Sequence, residues 1–194
     1  MKLIVIDQEG VLCETVRGHD RPYDRSHDRA HERSNTACRL LEGAAEAIAR
    51  FNHAGYRVAV LQDCTALHRG ACDMDGLNRR HADLQQALAA HGARIDLMLF
   101  ADALPQTLHD LMQRLRVPGA HTTVVSGSPE HLHSALQAGC RAIRLLSAVQ
   151  AGKQGMAPSA VTPEGTGRGR SIGTIPEDAL VRVNLGAVAN ELAH

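Results

Sequence analysis

A chain of 194 residues with 21 Lys+Arg against 21 Asp+Glu has no formal net charge, and with 44% hydrophobic residues it has the composition of a single globular domain. Folding at this length buries roughly 70% of the unfolded surface, so the core requires neither disulfides nor a structural metal. Zero net charge speaks against bulk nucleic-acid binding, and no apolar run approaches the roughly 20 residues that span a bilayer. The start, Met1 to Asp7, is too short in its apolar part for a secretory signal, which leads to the expectation of a cytoplasmic protein.

Three features of composition constrain the chemistry. Aromatic residues are confined to Tyr23, Phe51, Tyr56 and Phe100, so the core is to be built from Leu, Ile, Val, Ala and Met. Lys2 and Lys153 are the only lysines, so nearly all positive charge is carried by arginine, which stays protonated and cannot act as a base. The five cysteines, Cys13, Cys38, Cys64, Cys72 and Cys140, contain no Cys-x-x-Cys pair. They read as reduced, mostly buried thiols rather than a disulfide framework or a zinc knuckle.

In chain order, the short apolar segments Lys2 to Ile6, Tyr56 to Leu61, Ile95 to Phe100, Thr122 to Val125 and Ala142 to Leu145 read as buried strands of a parallel sheet. Between them lie helical spacings: Ala44, Ala47, Ile48 and Phe51 closed by Gly55; Leu77, Leu84 and Leu88 closed by Gly92; Leu108, Leu111, Met112 and Leu115; and Leu132 and Leu136 closed by Gly139. A last strand near Ala179 to Val183 and a helix from Leu185 to Leu192 complete the alternation. Strand and helix in turn predict right-handed crossovers and a three-layer α/β sandwich.

Two segments break this rhythm. Residues 17–33 repeat a tetrapeptide through His19-Asp20-Arg21, Tyr23-Asp24-Arg25, His27-Asp28-Arg29 and His31-Glu32-Arg33. This reads as a solvated, charge-balanced loop, with a metal- or phosphate-facing lid as the functional alternative. The other, Gly152 to Pro176, is rich in Gly and Pro and reads as an irregular surface loop.

In an open parallel α/β sheet, ligands bind beyond the carboxyl ends of the strands, near the point where strand order reverses. The residues at those ends are Asp7-Gln8-Glu9-Gly10, then Gln62-Asp63-Cys64-Thr65 with Arg69-Gly70, then Ser126-Gly127-Ser128-Pro129-Glu130-His131. A strand-end carboxylate followed two residues later by another suits attack on phosphorus, one carboxylate attacking and the other moving the leaving-group proton. The bland reading of Asp7 is a turn or cap carboxylate.

The opening Met1 to Val11, the helix Glu42 to Asn52, the strand Gly55 to Val60, and Arg69-Gly70 through Asp73-Met74 and Leu77-Asn78 resemble the haloacid dehalogenase (HAD) superfamily. Within it they resemble the branch of D,D-heptose 1,7-bisphosphate phosphatases and histidinol-phosphatases. Val124-Val125, Ala138-Gly139-Cys140, Pro163-Glu164-Gly165 and the terminal helix extend the similarity to nearly the whole chain, except 14–40 and most of 150–175. The resemblance implies a Rossmann-like α/β fold with a minimal cap: one domain over 1–194, with a His/Asp/Arg-rich insert at 14–40 and a Gly/Pro-rich loop at 150–176.

The motifs of that family match less well than its scaffold. Asp7 falls at the position of the nucleophile and magnesium ligand, and Glu9 at that of the general acid/base, one methylene longer than the family's Asp. Displacements on the order of 1 Å can cost roughly a hundredfold in rate. Gln62 stands where a phosphate-binding Thr or Ser is implied, with Thr65, Arg69 and Ser128 as further phosphate donors. The implied lysine falls on Leu104, the magnesium-ligating Asp of the fourth motif on Gly127 and its supporting Asp on His131. Magnesium, if bound, is left with Asp7 and the Glu9 backbone carbonyl. Asp102-Ala103-Leu104-Pro105 runs on with no cysteine, so the branch's structural zinc is not expected.

Phosphoryl transfer depends on neutralising developing negative charge, and both missing groups serve that end. The expectation is a pseudoenzyme that binds a phosphorylated small molecule or a protein partner. The alternative is a weak magnesium-dependent phosphomonoesterase with Asp7 as nucleophile and Glu9 as acid/base. His131 and His133 read as surface residues in a helical first turn where Glu130 complements the dipole. The alternative role of His131 is in a zinc or manganese site with Asp7, Glu9 and a histidine of the 19–31 insert.

Overall fold

The computed structural model describes residues 1–17, 36–62, 74–100, 104–145, 179–182 and 184–193. Strand β1 (Lys2–Asp7) is the buried centre of the sheet, pairing in parallel with β4 (Tyr56–Gln62) on one side and β6 (Thr122–Ser126) on the other. Beyond β4 lies β5 (Leu97–Phe100); beyond β6 lie β7 (Arg141–Leu145) and β8 (Leu180–Arg182), all parallel. The order β5-β4-β1-β6-β7-β8 is a doubly wound sheet that reverses direction between β1 and β6. A separate antiparallel hairpin is formed by β2 (Cys13–Arg17) and β3 (Thr36–Leu40).

Among the described residues five helices flank the sheet: α1 (Ala44–His53), α2 (Met74–Ala89), α3 (Leu104–Leu115), α4 (Pro129–Gln137) and α5 (Leu185–Leu192). Alternation along the strands sorts their side chains between two cores. Ile4, Ile6, Val58, Val60, Val125 and Ile143 meet α1, α2 and α5. Leu3, Val5, Ala59, Leu61, Val124 and Ala142 meet α3 and α4. The predicted alternation of strand and helix is the one observed, and Gly55 ends α1 with φ +78°, a conformation that glycine adopts without a Cβ penalty.

Two of the four aromatics meet in the core, while Phe100 is exposed at the end of β5. Phe51 is fully buried and stacks edge-on against Tyr56 at 5.8 Å. The Tyr56 hydroxyl donates to the Leu192 carbonyl, tying β4 to α5, and the Lys2 ammonium lies 5.1 Å from the Tyr56 ring centroid. Among the described residues no helix is long and apolar enough to cross a membrane.

One expectation is overturned. Cys13 and Cys38 form a disulfide across the β2–β3 hairpin, with Cα atoms 5.9 Å apart. The register pairs Cys13 with Leu40 and Thr15 with Cys38, so the two cysteines are diagonal neighbours within bonding reach. Counting and spacing along the chain contain no sign of that proximity. Cys140 does match the expectation of a buried thiol, its pKa pushed up to about 11 by burial. Cys64 and Cys72 lie outside the described residues, as do the 17–33 repeat beyond residue 17 and the Gly152 to Pro176 loop.

Candidate functional site

Asp7 ends β1, on the rung it shares with Leu61 of β4. Along β1 it follows Leu3 and Val5 on the face that meets α3 and α4, and it is 9% exposed. The chain then turns sharply: Gln8 N–H donates to the Leu61 carbonyl, Gly10 N–H to Cys13 O, and Cys13 N–H to Gln8 O. Gly10 takes φ +75°, the left-handed geometry this turn requires. The hairpin is therefore hydrogen-bonded directly to the Asp7-Gln8-Glu9-Gly10 turn, and the Gln8 side-chain amide lies 3.7 Å from Cys38 Sγ. Glu9 is exposed on that turn, while Asp7 is buried.

From the other side of the switch point comes β6. One rung beyond the pair Ile6 and Val125, its terminal Ser126 donates its hydroxyl proton in a short hydrogen bond to Asp7 Oδ2. Ser126 Oγ in turn accepts from the Ser128 N–H at 2.9 Å. Ser128 caps α4, its hydroxyl oxygen accepting from the His131 N–H at 3.4 Å. That cap orients the first turn of α4 so that His131 Nδ1 stands 3.0 Å from Asp7 Oδ1 and 3.2 Å from Oδ2. A carboxylate only accepts, so this contact requires the proton on Nδ1.

His131 is thus no surface residue. It is a half-buried partner of Asp7, in contrast to the reading of both histidines as exposed; only His133 is exposed. A helix's first turn lies at the sheet's carboxyl edge in this topology, so the third residue after the cap points back at the neighbouring strand end. Among the other candidates, Gln62 is buried on the rung of Phe100, and alternation places it on the face opposite Leu61. Thr65 and Arg69 lie outside the described residues. Leu104, at the position where the resemblance implies a lysine, is 3% exposed and packs in the α3 and α4 core.

Two residues were missed. Ser126 was visible as a hydroxyl ending an apolar Val-Val strand. Arg144 had a weaker signal, an arginine in the buried phase of β7. It shares a rung with Ser126, and its Nε is buried without a hydrogen-bond partner. The last rung on this face therefore reads Leu61, Asp7, Ser126, Arg144 from β4 to β7.

The described donors fit magnesium poorly. A hard cation of this kind takes carboxylates, carbonyls and water, whereas Asp7 is engaged by an imidazole and a hydroxyl. No group of three or more His, Cys, Asp or Glu side chains among the described residues could hold a metal. That includes the Asp7, Glu9 and His131 set. Gly127 supplies no carboxylate, although space for one exists: a Cβ there meets only the Leu145 carbonyl, at 3.9 Å.

A doubly wound parallel sheet with a buried carboxylate at its switch point, followed by a tight turn and a hairpin, defines a class, and the comparisons agree with it. No family model matches the chain. An L-2-haloacid dehalogenase, 14% identical, shares the fold with a TM-score of 0.58, covering 99% of each chain. That likeness concerns the fold, and the relatives below support a place in the haloacid dehalogenase superfamily. Within the superfamily it is similar to the D-glycero-beta-D-manno-heptose-1,7-bisphosphate 7-phosphatase of Bordetella bronchiseptica, 29% identical over 206 residues that cover 99% of this chain and 98% of the relative. The structure of a D,D-heptose 1,7-bisphosphate phosphatase from B. bronchiseptica complexed with magnesium and phosphate gives a TM-score of 0.71 at 26% identity, covering 99% and 98% of the two chains. That of the Burkholderia thailandensis D,D-heptose 1,7-bisphosphate phosphatase gives 0.68 at 28%, covering 98% and 97%.

Proposed function

We propose that this chain is a HAD-scaffold protein whose cleft binds a phosphorylated metabolite, in the first instance a sugar phosphate, and whose phosphatase activity is severely impaired. One observation carries the reading: the Asp7 carboxylate is clasped by Ser126 and His131. To attack phosphorus, an oxygen of Asp7 has to give up a hydrogen bond to a charged acceptor. Each such bond is worth about 1.5–3 kcal/mol, roughly ten- to a hundredfold in rate. Leu104 and Gly127 add no charge where the family's chemistry implies a lysine and a carboxylate, so the transition state lacks their stabilisation. The Ser128 hydroxyl, whose oxygen accepts from the His131 N–H, keeps its own proton for a phosphate oxygen.

The similarity to a phosphatase complexed with magnesium and phosphate favours a second reading, a weak magnesium-dependent phosphomonoesterase that uses Asp7 as nucleophile and Glu9 as acid/base. Hydrolysis of p-nitrophenyl phosphate and of a heptose bisphosphate with magnesium, in parallel with Asp7→Asn, separates the two. The pseudoenzyme reading expects background rates in both proteins and a rise in Tm with the sugar phosphate. Turnover that disappears in Asp7→Asn overturns it.

A further inference from the structure

We infer that Arg144 is the cationic element of an anion subsite at the ends of β6 and β7, holding the phosphoryl group of the bound ligand in place of a metal or a lysine. The inference deepens the reading of the cleft as a phosphate-binding site and rests on it. The starting point is electrostatic. Arginine stays charged at any physiological pH, and burying part of a guanidinium without a partner is unfavourable unless an anion compensates it. Arg144 Nε is buried and unpartnered. Several arginines near the sheet do have partners, Arg57 with Asp96 and both Arg141 and Arg182 with Glu191, whereas Arg114 and Arg116, without one among the described residues, are exposed to water. Arg141, three residues earlier on the same strand, thus has the ion pair that Arg144 lacks.

Position makes the missing anion a ligand rather than a neighbour. Arg144 is in register with Ser126, which bonds Asp7, so acid, hydroxyl and guanidinium stand on three adjacent strands. Strand spacing of about 4.8 Å puts the Asp7 and Arg144 backbones about 10 Å apart, with Ser126 between them. Directly beyond Ser126 is Gly127, and among the described residues the one atom that a Cβ there approaches is the carbonyl of Leu145, next to Arg144. The vacancy left by the missing side chain therefore adjoins the end of β7. A tetrahedral dianion seated there meets the Arg144 guanidinium, whose planar fork suits two phosphate oxygens at once. It also sits apart from the Asp7 carboxylate that would repel it.

The test uses the full chain and inorganic phosphate as the probe, read by calorimetry and by thermal unfolding, on wild type, Arg144→Gln and Arg144→Lys. Wild type is expected to bind phosphate, Arg144→Gln to lose at least tenfold in affinity, and Arg144→Lys to recover part of it. Without phosphate, Arg144→Gln is expected to unfold at the same temperature as wild type or higher, because it removes an uncompensated charge. A lower Tm in phosphate-free buffer means that Arg144 serves a structural pair, and it overturns the inference. If wild type and Arg144→Gln bind phosphate equally, the subsite is wrong while the cleft reading stands. If wild type binds neither phosphate nor a sugar phosphate, the cleft reading fails, and the subsite with it.

Discussion

On the face of the sheet covered by α1, α2 and α5, β1 starts with Lys2 and then stays apolar, Ile4 and Ile6 meeting Ile48 and Phe51 in one core. On the face covered by α3 and α4 the same strand runs Leu3, Val5 and then Asp7, and β6 and β7 change character at the same level, with Ser126 and Arg144. Both faces are built from one hydrophobic pattern, but only the second sets a carboxylate, a hydroxyl and a guanidinium side by side on one rung at its carboxyl edge. Stability resides mainly in the first face and chemistry at the edge of the second. Substitutions at the two places are therefore expected to separate folding from binding.

The largest effect is expected from Phe51→Ala. Truncating a fully buried aromatic costs about 3–5 kcal/mol, and at about 2–4 °C per kcal/mol for a chain of this size the Tm falls by roughly 10 °C. Calorimetric unfolding checks this, and phosphate affinity of the folded protein at low temperature should be unchanged. An equal loss of affinity would break the separation of the faces. Next comes the hairpin. Closing the 25-residue separation between Cys13 and Cys38 is worth about 3 kcal/mol in the chain-entropy account. Reduction with dithiothreitol, or a Cys13→Ala and Cys38→Ala pair, is expected to lower the denaturation midpoint accordingly. Mass mapping under non-reducing conditions should recover the two cysteines as one linked pair.

A smaller effect sharpens the comparison at the site itself. Gly127→Asp combined with His131→Asp places two carboxylates beside Asp7 and releases its imidazole partner. There is room at position 127, where a Cβ has no close neighbour. Magnesium at ten times its Kd then adds about 1.4 kcal/mol of stability, a rise in Tm of roughly 3–5 °C. Wild type should show no such rise. A magnesium-dependent shift of the same size in wild type would show that Ser126 and His131 do not occupy Asp7 in solution.

The legibility of the molecule followed the range of the interactions. Strands, helices and the glycine that closes α1 were readable because periodicity and capping act within a few residues. Asp7 was readable because it immediately follows the apolar run of β1. Its partners were not, since Ser126 is 119 residues away and His131 is 124. His131 read as a helix-surface residue because its own neighbours Glu130 and His133 are consistent with that role. Arg144 read as nothing in particular until the register aligned it with Ser126. The Cys13–Cys38 bond was hidden by a repeat that looks like a pure insertion, although its flanks pair as β2 and β3.

By itself, then, the sequence determined a parallel α/β scaffold with a carboxylate at the end of its first strand, through hydrophobic alternation and turn chemistry that are local by nature. Tertiary structure alone decided which groups meet that carboxylate and which cation is left without a partner. The order of strands in the sheet, and hence which strand ends become neighbours, is set by packing helices on both faces at once. No window of the chain contains that information.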